Sequence, residues 1–376
     1  MKKFNLLQIV PSLNSGGVEQ GTIDVANSQA ERKNLNFIIS NGGKMTPYIN
    51  KAFVQHINLP VHSKNFLKIP FLAKKINIIV NKKKIDILHL RSRGPAWLLP
   101  FIDQTKIKTV STFHNVYGHQ NFIKKIYNKQ LSKVDKIVAI SEYVKSEIVK
   151  IYTINPNKIT TINRGTDVEF FNPQEVSVKK LTDFYTKKKI NLEKKIILYP
   201  GRLTEWKGQI EFLKLIEFYK NQPVIFYFVG DNKNLSFYSK FIKKINDKNI
   251  NEQCRVLGHL NREELKMMYQ CSDIIISAPL KPEGFGRIAS ESLSMKKIFL
   301  GYNFGGIKNQ IEQLDSVYKV KPFDLIEMKN KINLVLNLEE DEIINMGNIA
   351  RKHIIRSFSK DNMLNLYNNF YEKVID

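Results

Sequence analysis

The chain is predicted to form two α/β domains, each built on a parallel sheet with helices on both faces. Three observations predict this fold class: β-rich runs alternate with helix-like stretches up to residue 166, a second such series begins at residue 195, and periodicity is lost between the two. This alternation is typical of doubly wound parallel sheets, because each parallel crossover needs a helix. A chain of 376 residues is also long enough for two domains of about 150–200 residues each.

The first series predicts an N-terminal domain over residues 1–166. Its opening resembles a signal peptide, but the apolar stretch is short, contains Asn5 and Gln8, and ends at Pro11, which favours a first strand. Helices are predicted over Val18–Arg32 and Ser141–Tyr152. The predicted strands are Phe4–Val10, Leu35–Ile39, Ile85–Leu90, Lys108–Phe113, Lys136–Ile140 and Lys158–Asn163.

The second series predicts another domain of the same kind over residues 195–357. Residues 167–194 between the two domains are predicted to be a linker and hinge. Residues 358–376 have the apolar spacing of a separate amphipathic helix. The predicted strands of the second domain are Ile196–Tyr199, Val224–Val229, Arg255–Leu257, Asp273–Ser277 and Ile298–Tyr302.

The net charge of +24 is concentrated in the N-terminal domain. Residues 1–165 carry 26 Lys and Arg against 8 Asp and Glu, a net charge of +18, and the remainder carries only +6. This asymmetry has three alternative explanations: compositional bias towards Lys, a face that meets an anionic membrane or glycolipid, or nucleic-acid binding, for which no accompanying motif is found. Cys254 and Cys271 have no metal-binding spacing and are expected to be reduced thiols in a cytoplasmic protein.

The stretch from Pro282 to Glu291 is the most informative motif in the chain. It follows a predicted strand and opens a predicted helix, with Glu283 in a glycine-rich turn and Glu291 two turns into the helix. Gly284 and Gly286 let the backbone approach a ligand, and the helix N-terminus offers unpaired N–H groups. The pattern indicates a site for a phosphorylated sugar between two carboxylates.

Glu283 to Glu291 resembles the Glu-x7-Glu motif of family 4 retaining glycosyltransferases. The stretches Ser15–Glu19, Arg164–Asp167 and Pro200–Gln209 are similar to further motifs of that family, in the same chain order. The run from His89 to Trp97 resembles a branch found in bacterial envelope polysaccharide and lipopolysaccharide-core synthesis. This resemblance covers nearly the whole chain. It implies the GT-B architecture, with two Rossmann-like domains facing a cleft and a C-terminal helix that crosses back to the first domain.

The resemblance also assigns roles in binding a nucleotide-sugar donor. Arg202 and Lys207 would hold its pyrophosphate, with a planar fork of donors and a mobile point charge respectively. Glu291 would accept hydrogen bonds from the ribose. Glu283 would lie beside the donor sugar as a catalytic residue. The remaining predicted donor-binding residues are Gly16, Gly17, Phe285 and Gly286.

Three cationic or titratable residues of the first domain are further candidates. His114 ends a predicted strand and is either a structural hydrogen-bonding residue or, as the resemblance implies, a catalytic-site residue that contacts the donor sugar. Arg91 and Arg93 follow another strand and would either bind an anionic acceptor or pair within the protein. No Asp-x-Asp follows a strand, so neither a metal nor another cofactor is expected.

Two stretches of the first domain interleave aromatic residues with lysines, at Asn65–Lys84 and Asn121–Lys133. They are either ordinary surface helices or basic amphipathic helices that lie on a membrane. We therefore expect a cytoplasmic, membrane-peripheral glycosyltransferase that moves a sugar to a lipid-linked or lipopolysaccharide-core glycan. The alternatives are a nucleotide-sugar epimerase on the same fold and a non-catalytic basic protein that binds polyanions or nucleic acid.

Overall fold

The computed structural model describes residues 3–14, 16–32, 34–63 and 65–376, and the chain divides into two compact units. The first unit contains the residues up to Gly165 together with Asp361–Asp376. The second contains Thr166–Lys360. Both are α/β, as the alternation of strand-like and helix-like runs predicts.

The described strands of the first unit form one parallel seven-stranded sheet. They are β1 (Asn5–Ile9), β2 (Leu35–Ser40), β3 (Val54–Asn58), β4 (Ile87–Leu90), β5 (Lys108–Phe113), β6 (Lys136–Ala139) and β7 (Ile159–Thr161). Their spatial order is β3-β2-β1-β4-β5-β6-β7. Every residue of β4 is buried, as expected for a central strand with helices on both faces.

The helices of this unit lie between the strands, at α1 (Gly17–Glu31), α2 (Ile69–Lys82), α3 (Arg93–Ala96), α4 (Phe122–Lys129) and α5 (Glu142–Tyr152). Polar N-caps fix where two of them begin. The Ser141 hydroxyl accepts a hydrogen bond from the Val144 amide at the start of α5, and the Asn121 side chain accepts from Ile123 and Lys124 at the start of α4. These caps satisfy amides that have no partner within the helix.

The second unit also contains one parallel sheet, with six described strands. They are β8 (Lys195–Pro200), β9 (Val224–Val229), β10 (Cys254–Gly258), β11 (Ile274–Ser277), β12 (Ile298–Tyr302) and β13 (Lys319–Val320), in the order β10-β9-β8-β11-β12-β13. The order reverses between β8 and β11. Ligands of doubly wound sheets bind beyond the carboxyl ends of the strands at such a switch point.

Eight described helices belong to the second unit. They are α6 (Val178–Lys188), α7 (Gln209–Ile216), α8 (Leu235–Asp247), α9 (Arg262–Cys271), α10 (Arg287–Ser294), α11 (Gly305–Ile311), α12 (Leu325–Leu336) and α13 (Glu340–Phe358). A capping box starts α9, in which the Asn261 side chain accepts from the Glu264 amide and the Glu264 side chain accepts from the Asn261 amide.

The last helix, α14 (Lys360–Ile375), is part of the core of the first unit, so the predicted return of the C-terminal helix is confirmed. Its apolar side packs against strands β1, β4, β5 and β6. The buried cluster combines Phe4, Leu6, Ile87, Val110 and Val138 with Met363, Tyr367, Phe370, Tyr371 and Val374. Removal of this helix would therefore expose the core of the first unit.

Residues 167–194, predicted to be a linker and hinge, belong instead to the second unit and contain α6. Side chains of that unit hold the start of this segment in place. Arg262 donates to the Asp167 carboxylate over 2.9 Å, and Arg351 donates to the backbone oxygens of Val168 and Phe171. Val168, Phe171, Phe184 and Ile190 of this stretch are buried as well, but their irregular spacing does not predict a place in the second unit.

Two strands were not among those predicted. Strand β3 is at the edge of its sheet, and its sequence Val-Gln-His-Ile-Asn buries only Val54 fully. Strand β13 has two residues. A half-exposed edge strand lacks the continuous apolar run that identifies the central strands.

Candidate functional site

The loop after β8 places Arg202 and Lys207 at the carboxyl end of the second sheet. Arg202 is exposed to solvent, whereas Lys207 is buried. The Lys207 ammonium lies 4.6 Å from the centre of the Trp206 ring, where a cation is attracted by the aromatic face. The two cations to which the family resemblance gives the pyrophosphate are therefore one accessible guanidinium and one enclosed ammonium.

Lys207 connects this loop to the loop that carries Glu283. Its Nζ lies 2.7 Å from Glu283 Oε1, and the two side chains are only 9% and 15% exposed. The backbone of the two loops is also joined, because the Leu280 amide donates to the Trp206 carbonyl over 2.8 Å. The structure thus brings together two motifs that lie more than 70 residues apart in the sequence.

Gly208 makes this close approach of the two loops possible. It has φ +78°, a conformation that residues with a Cβ seldom adopt. A Cβ at this position would lie 2.3 Å from the Ala278 backbone oxygen. The Tyr199 hydroxyl strengthens the junction, because it donates to the Lys207 carbonyl over 2.6 Å and accepts from the Ala278 amide over 3.2 Å.

Gly286 is the N-cap of α10, with φ +84°. A Cβ there would lie 2.5 Å from the Ile307 side chain. Phe285 is buried, and its ring centre lies 6.1 Å from that of Phe358. The turn is therefore held from behind by packing, while its backbone lies at the start of a helix whose positive dipole end favours anions.

Glu291, in the second turn of α10, is buried with both carboxylate oxygens hydrogen-bonded. Arg287 Nη2 donates to Oε1 over 2.6 Å, and the Tyr269 hydroxyl donates to Oε2 over 3.1 Å. Burial and the Glu291 charge hold the pKa of Tyr269 well above its usual range, so this hydroxyl keeps its proton. The carboxylate also raises the pKa of Arg287. Each oxygen has further lone pairs, so Glu291 is oriented here but can still accept from a ligand.

Supporting residues of this turn were not predicted as site residues. The Gln310 side chain donates to the backbone oxygens of Phe285, Gly286 and Gly306. The Gly306 amide donates to the Glu283 carbonyl over 2.8 Å, and a Cβ at Gly306 would lie 2.5 Å from the Gly284 oxygen. The adjacent glycines Gly305 and Gly306 were visible in the sequence, but Gln310 and Tyr269 carry no motif that would have identified them.

In the first unit, His114 follows β5 and contacts Arg164, which follows β7. Arg164 Nη2 lies 3.0 Å from His114 Nδ1. Burial, and then the charges of Arg164 and Arg91, hold the pKa of His114 well below its usual range. His114 Nε2 is buried and has no hydrogen-bond partner of normal geometry.

The predicted glycine loop lies beside this pair. A Cβ at Gly17, the first residue of α1, would lie 2.5 Å from Arg164 Nη1, so the guanidinium covers this glycine. The Gly16 carbonyl accepts a hydrogen bond from the Gln20 amide. Ser15, the first residue of the predicted loop motif, lies outside the described residues. Arg164 was noted as part of a turn motif but not as a partner of His114.

The structure shows Arg91 and Arg93 paired within the first unit. Arg91 is only 2% exposed, donates to the Tyr367 hydroxyl over 3.2 Å and lies over the Tyr367 ring. Arg93 donates to the Asn128 side chain over 3.0 Å and lies 4.1 Å from the Tyr117 ring centre. Intramolecular pairing, one of the two alternatives, therefore holds for both, and their acceptor role stays a prediction.

In the part of the chain that the structure describes, no cluster of three or more His, Cys, Asp and Glu side chains could hold a metal ion. Over the same residues, none of the helices combines the length and the apolar character needed to cross a bilayer.

Comparison with known proteins identifies the family of this chain. The model of Glycosyltransferase Family 4 matches residues 15–170, and that of the glycosyl transferases group 1 matches residues 182–353. A glycosyltransferase from Rickettsia africae is 32% identical, covers 100% of both chains and superposes with a TM-score of 0.89. The chain belongs to glycosyltransferase family 4.

Two further proteins are similar to this glycosyltransferase. HepE of Anabaena, whose structure contains UDP and glucose, has a TM-score of 0.80 at 15% identity over 98% of this chain and 100% of its own. This likeness shows the fold alone, and with the Rickettsia structure it confirms the expected GT-B class. A capsular polysaccharide biosynthesis glycosyltransferase of Staphylococcus aureus is 24% identical over 271 residues, which is 69% of this chain and 70% of the relative.

Proposed function

We propose that this glycosyltransferase moves a hexosyl group, with retention of configuration and without a metal ion, from a nucleoside-diphosphate sugar to an envelope glycan acceptor. The acceptor class is a lipid-linked, lipopolysaccharide-core or related glycan. The observation that carries the proposal is the junction of two loops in the second unit, where the Arg202–Lys207 loop is bound to the Glu283–Glu291 turn through the Lys207–Glu283 ion pair.

This junction has the charge needed to release a nucleoside diphosphate. Cleavage of the donor builds negative charge on the pyrophosphate, and fixed cations and backbone N–H groups that meet this charge lower the barrier. Arg202 can bind phosphate oxygens with a planar fork, and Lys207 adds a point charge. The N-terminus of α10 contributes further N–H groups. These groups would take the place of a divalent ion.

The bond changes determine the role of Glu283. The bond between the anomeric carbon and the phosphate oxygen breaks, and an acceptor hydroxyl forms a new bond on the same face through an oxocarbenium-like transition state. The departing phosphate oxygen takes the acceptor proton. Glu283 is already bound to an ammonium 2.7 Å away, which makes it a weak nucleophile and favours a role in binding the hydroxyls of the donor sugar.

Glu291 suits recognition of the nucleoside. A ribose presents two neighbouring hydroxyls, and one carboxylate can accept from both. Arg287 and Tyr269 fix the orientation of the Glu291 carboxylate, so little rotational freedom remains to be lost on binding.

A surface of the first unit supports an acceptor at a membrane. We name it the basic–aromatic face: its exposed apolar residues are Phe66, Leu67, Phe71, Phe122, Ile123 and Ile126, and its exposed lysines are Lys68, Lys74, Lys75, Lys124, Lys125 and Lys129. The Trp97 ring joins its two segments, with ring centres 5.4 Å from Phe66 and 5.6 Å from Tyr127. No acidic residue occurs in Asn65–Lys84 or Asn121–Lys133.

Such a surface has the chemistry of a peripheral membrane contact. Exposed phenylalanines and isoleucines can enter the interface, and lysines around them are attracted by anionic headgroups. We therefore place the enzyme at the inner face of the cytoplasmic membrane, where a lipid-linked acceptor is within reach.

A thermal-shift screen over UDP-, GDP- and ADP-sugars tests the donor half of the proposal. A donor present at 100 times its Kd stabilises the folded protein by about 2.7 kcal/mol, which is a measurable rise in Tm. EDTA should leave this rise unchanged. Glu291→Gln should reduce the rise given by the matching free nucleoside diphosphate. A protein that no nucleotide sugar stabilises, or that only a divalent ion renders responsive, would contradict the proposal.

A second measurement tests retention. With the donor identified, the anomeric proton of the product is followed by NMR during turnover. A transferred sugar that keeps the anomeric configuration of the donor is expected. Inversion, or an altered sugar still attached to the nucleotide as an epimerase would give, would overturn the assignment.

A further inference from the structure

His114 and Arg164 meet at one edge of the first sheet. Each lies just beyond the carboxyl end of its strand, β5 for His114 and β7 for Arg164, with β6 between them. Their side chains are 50 residues apart in the sequence and 3.0 Å apart in the structure.

The chemistry of the two groups fixes where the histidine proton lies. A guanidinium has only N–H donors and keeps its charge at any physiological pH. His114 Nδ1 must therefore accept the hydrogen bond from Arg164 Nη2, and an accepting Nδ1 carries no proton. The single proton of the neutral ring is then on Nε2.

The surroundings keep the ring neutral. Burial lowers the pKa of His114, and the positive charges of Arg164 and Arg91 lower it further. The Arg91 backbone carbonyl acts in the opposite direction as an acceptor for the ring, but Nε2 forms no hydrogen bond of normal geometry. A buried N–H without such a partner destabilises the protein. A substrate oxygen that accepts a hydrogen bond from Nε2–H would remove this cost on binding.

We propose that Arg164 is a positioning residue that fixes His114 as an Nε2–H hydrogen-bond donor to the bound substrate. His114 then does not act as a base, since the nitrogen that could accept a proton is occupied by the guanidinium. The contact between His114 and substrate rests on the proposed sugar transfer. The proton position and its dependence on Arg164 do not, so they are measured separately.

Gly17 provides a second way to disturb the pair. A Cβ at Gly17 would lie 2.5 Å from Arg164 Nη1, which is the far end of a flexible side chain. Gly17→Ala should therefore displace the guanidinium at a small cost in stability while leaving the arginine in the sequence. It complements Arg164→Met in case that variant folds poorly.

The test is NMR of the histidine ring nitrogens in the full chain, labelled with ¹⁵N-histidine. The chain contains seven histidines, and the His114 signals are those that disappear in His114→Gln. In the wild type, Nδ1 should resonate as an unprotonated nitrogen and Nε2 as a protonated one. Arg164→Met and Gly17→Ala should shift both signals towards a mixture of forms, and Arg164→Lys, which keeps a donor, should restore them.

The matched control is Arg255→Met, which removes an exposed arginine of the second unit that donates to the Lys189 carbonyl. It should leave the His114 signals unchanged. A wild-type ring protonated on Nδ1, or His114 signals that do not move in Arg164→Met and Gly17→Ala, would overturn the proposal whether or not sugar transfer is observed.

A kinetic comparison distinguishes a donor from a base. Glutamine retains an N–H donor but cannot accept a proton as imidazole does. His114→Gln should therefore keep at least about tenfold more kcat/KM than His114→Ala, since one hydrogen bond to a developing charge accounts for a factor of that order. Equal loss in both variants would contradict the donor role.

Discussion

At the scale of single residues, the ion pair between Lys207 and Glu283 joins the loop that we propose binds phosphate to the turn that we propose binds the donor sugar. Both side chains are largely buried, so the two charges stabilise each other and either one alone would be costly. Arg202 differs, because it is exposed and nothing in its environment makes its removal costly to the fold. Mutations of the two cations should therefore have different consequences.

Arg202→Ala should weaken use of the donor and leave the fold intact. The change would remove the charge-assisted hydrogen bonds that we propose Arg202 makes to the pyrophosphate. Bonds of this kind contribute about 1.5–3 kcal/mol, which is roughly a tenfold to hundredfold loss in kcat/KM. Tm of the free protein and kcat/KM for the donor are the quantities to measure. An unchanged kcat/KM would rule out the pyrophosphate contact.

Lys207→Met should destabilise the fold more than the double variant Lys207→Met/Glu283→Gln. The single change leaves the Glu283 carboxylate largely buried without its counter-ion, and breaking an ion pair of this kind costs about 3–5 kcal/mol when it is fully buried, less here because of the residual exposure. The second change removes that charge. Denaturant unfolding of the wild type and the three variants gives the coupling energy. A coupling energy near zero would show that the charges of Lys207 and Glu283 do not stabilise each other.

The contacts of individual residues were the part of the site least accessible from the sequence. Arg202, Lys207, Glu283 and Glu291 could be selected because they lie in short motifs after predicted strands. The contact of Arg164 with His114 depends on the spatial order of β5, β6 and β7, which no local pattern encodes.

At the scale of elements, the site depends on how closely two loops approach each other. The carboxyl ends of β8 and β11 lie side by side in the sheet, and their loops touch at Gly208. The close packing requires a glycine for two reasons, its φ of +78° and the 2.3 Å that would separate a Cβ from the Ala278 oxygen.

Gly208→Ala should destabilise the second unit more than Gly258→Ala. Gly258 has a similar φ of +71°, but no atom lies within 4 Å of the position a Cβ would take, so this variant measures backbone strain alone. Such strain costs about 1–3 kcal/mol. The excess in Gly208→Ala, measured by denaturant unfolding, reports the clash with the neighbouring loop. If both variants lose the same free energy of unfolding, the close contact between the two loops at Gly208 does not contribute to stability.

The segment that begins at Thr166 gives a second prediction at this scale. Burial alone would raise the pKa of Asp167, but the hydrogen bonds from Arg262 and from the Phe170 amide outweigh it, and the pKa lies below its usual value. A carboxyl whose pKa is lowered on folding stabilises the protein above its unfolded pKa of about 3.9, and this contribution is lost as the pH falls through the lowered value.

Asp167→Asn should therefore lower the free energy of unfolding at pH 7 and have a shrinking effect as the pH falls below about 4. Thermal or urea unfolding of both proteins across this range is the measurement. A difference that stays constant down to low pH would show that the charge of Asp167 is not what anchors the segment.

Elements themselves were predictable in proportion to their burial. Strands β5, β9 and β12 were predicted with the bounds that the structure has, since β9 and β12 are buried throughout and β5 is buried except at its first residue, Lys108. The segment 167–194 was not, because its buried residues Val168, Phe171, Phe184 and Ile190 are irregularly spaced. Its remaining attachment comes from hydrogen bonds that Arg262 and Arg351 donate. Polar anchors leave no periodic trace in a sequence.

At the scale of the whole molecule, the uneven charge and the basic–aromatic face concern the same part of the chain. Residues up to Gly165 hold most of the net charge of +24, and the lysines of the face lie among side chains that are exposed although apolar. Phe122 and Ile123 are each 75% exposed and Leu67 is 89% exposed. Compositional bias towards lysine explains the charge but not why large apolar residues stand beside it in solvent.

If the basic–aromatic face docks on lipid, the protein should float with anionic vesicles, and binding should fall steeply with salt because exposed charges are screened within about 10 Å at 0.1 M. Neutralising Lys124, Lys125 and Lys129 together should weaken binding by roughly a hundredfold, at about 1 kcal/mol per lysine near the surface. Neutralising three exposed lysines of α8, namely Lys240, Lys243 and Lys244, removes the same charge from the second unit and should have little effect.

Phe122→Ser/Ile123→Ser should weaken binding at all salt concentrations, since apolar insertion is not screened. If the two sets of three lysines have equal effects, vesicle binding depends on the net charge of the protein and not on the basic–aromatic face. Salt-sensitive binding to DNA without vesicle binding would favour a nucleic-acid partner instead.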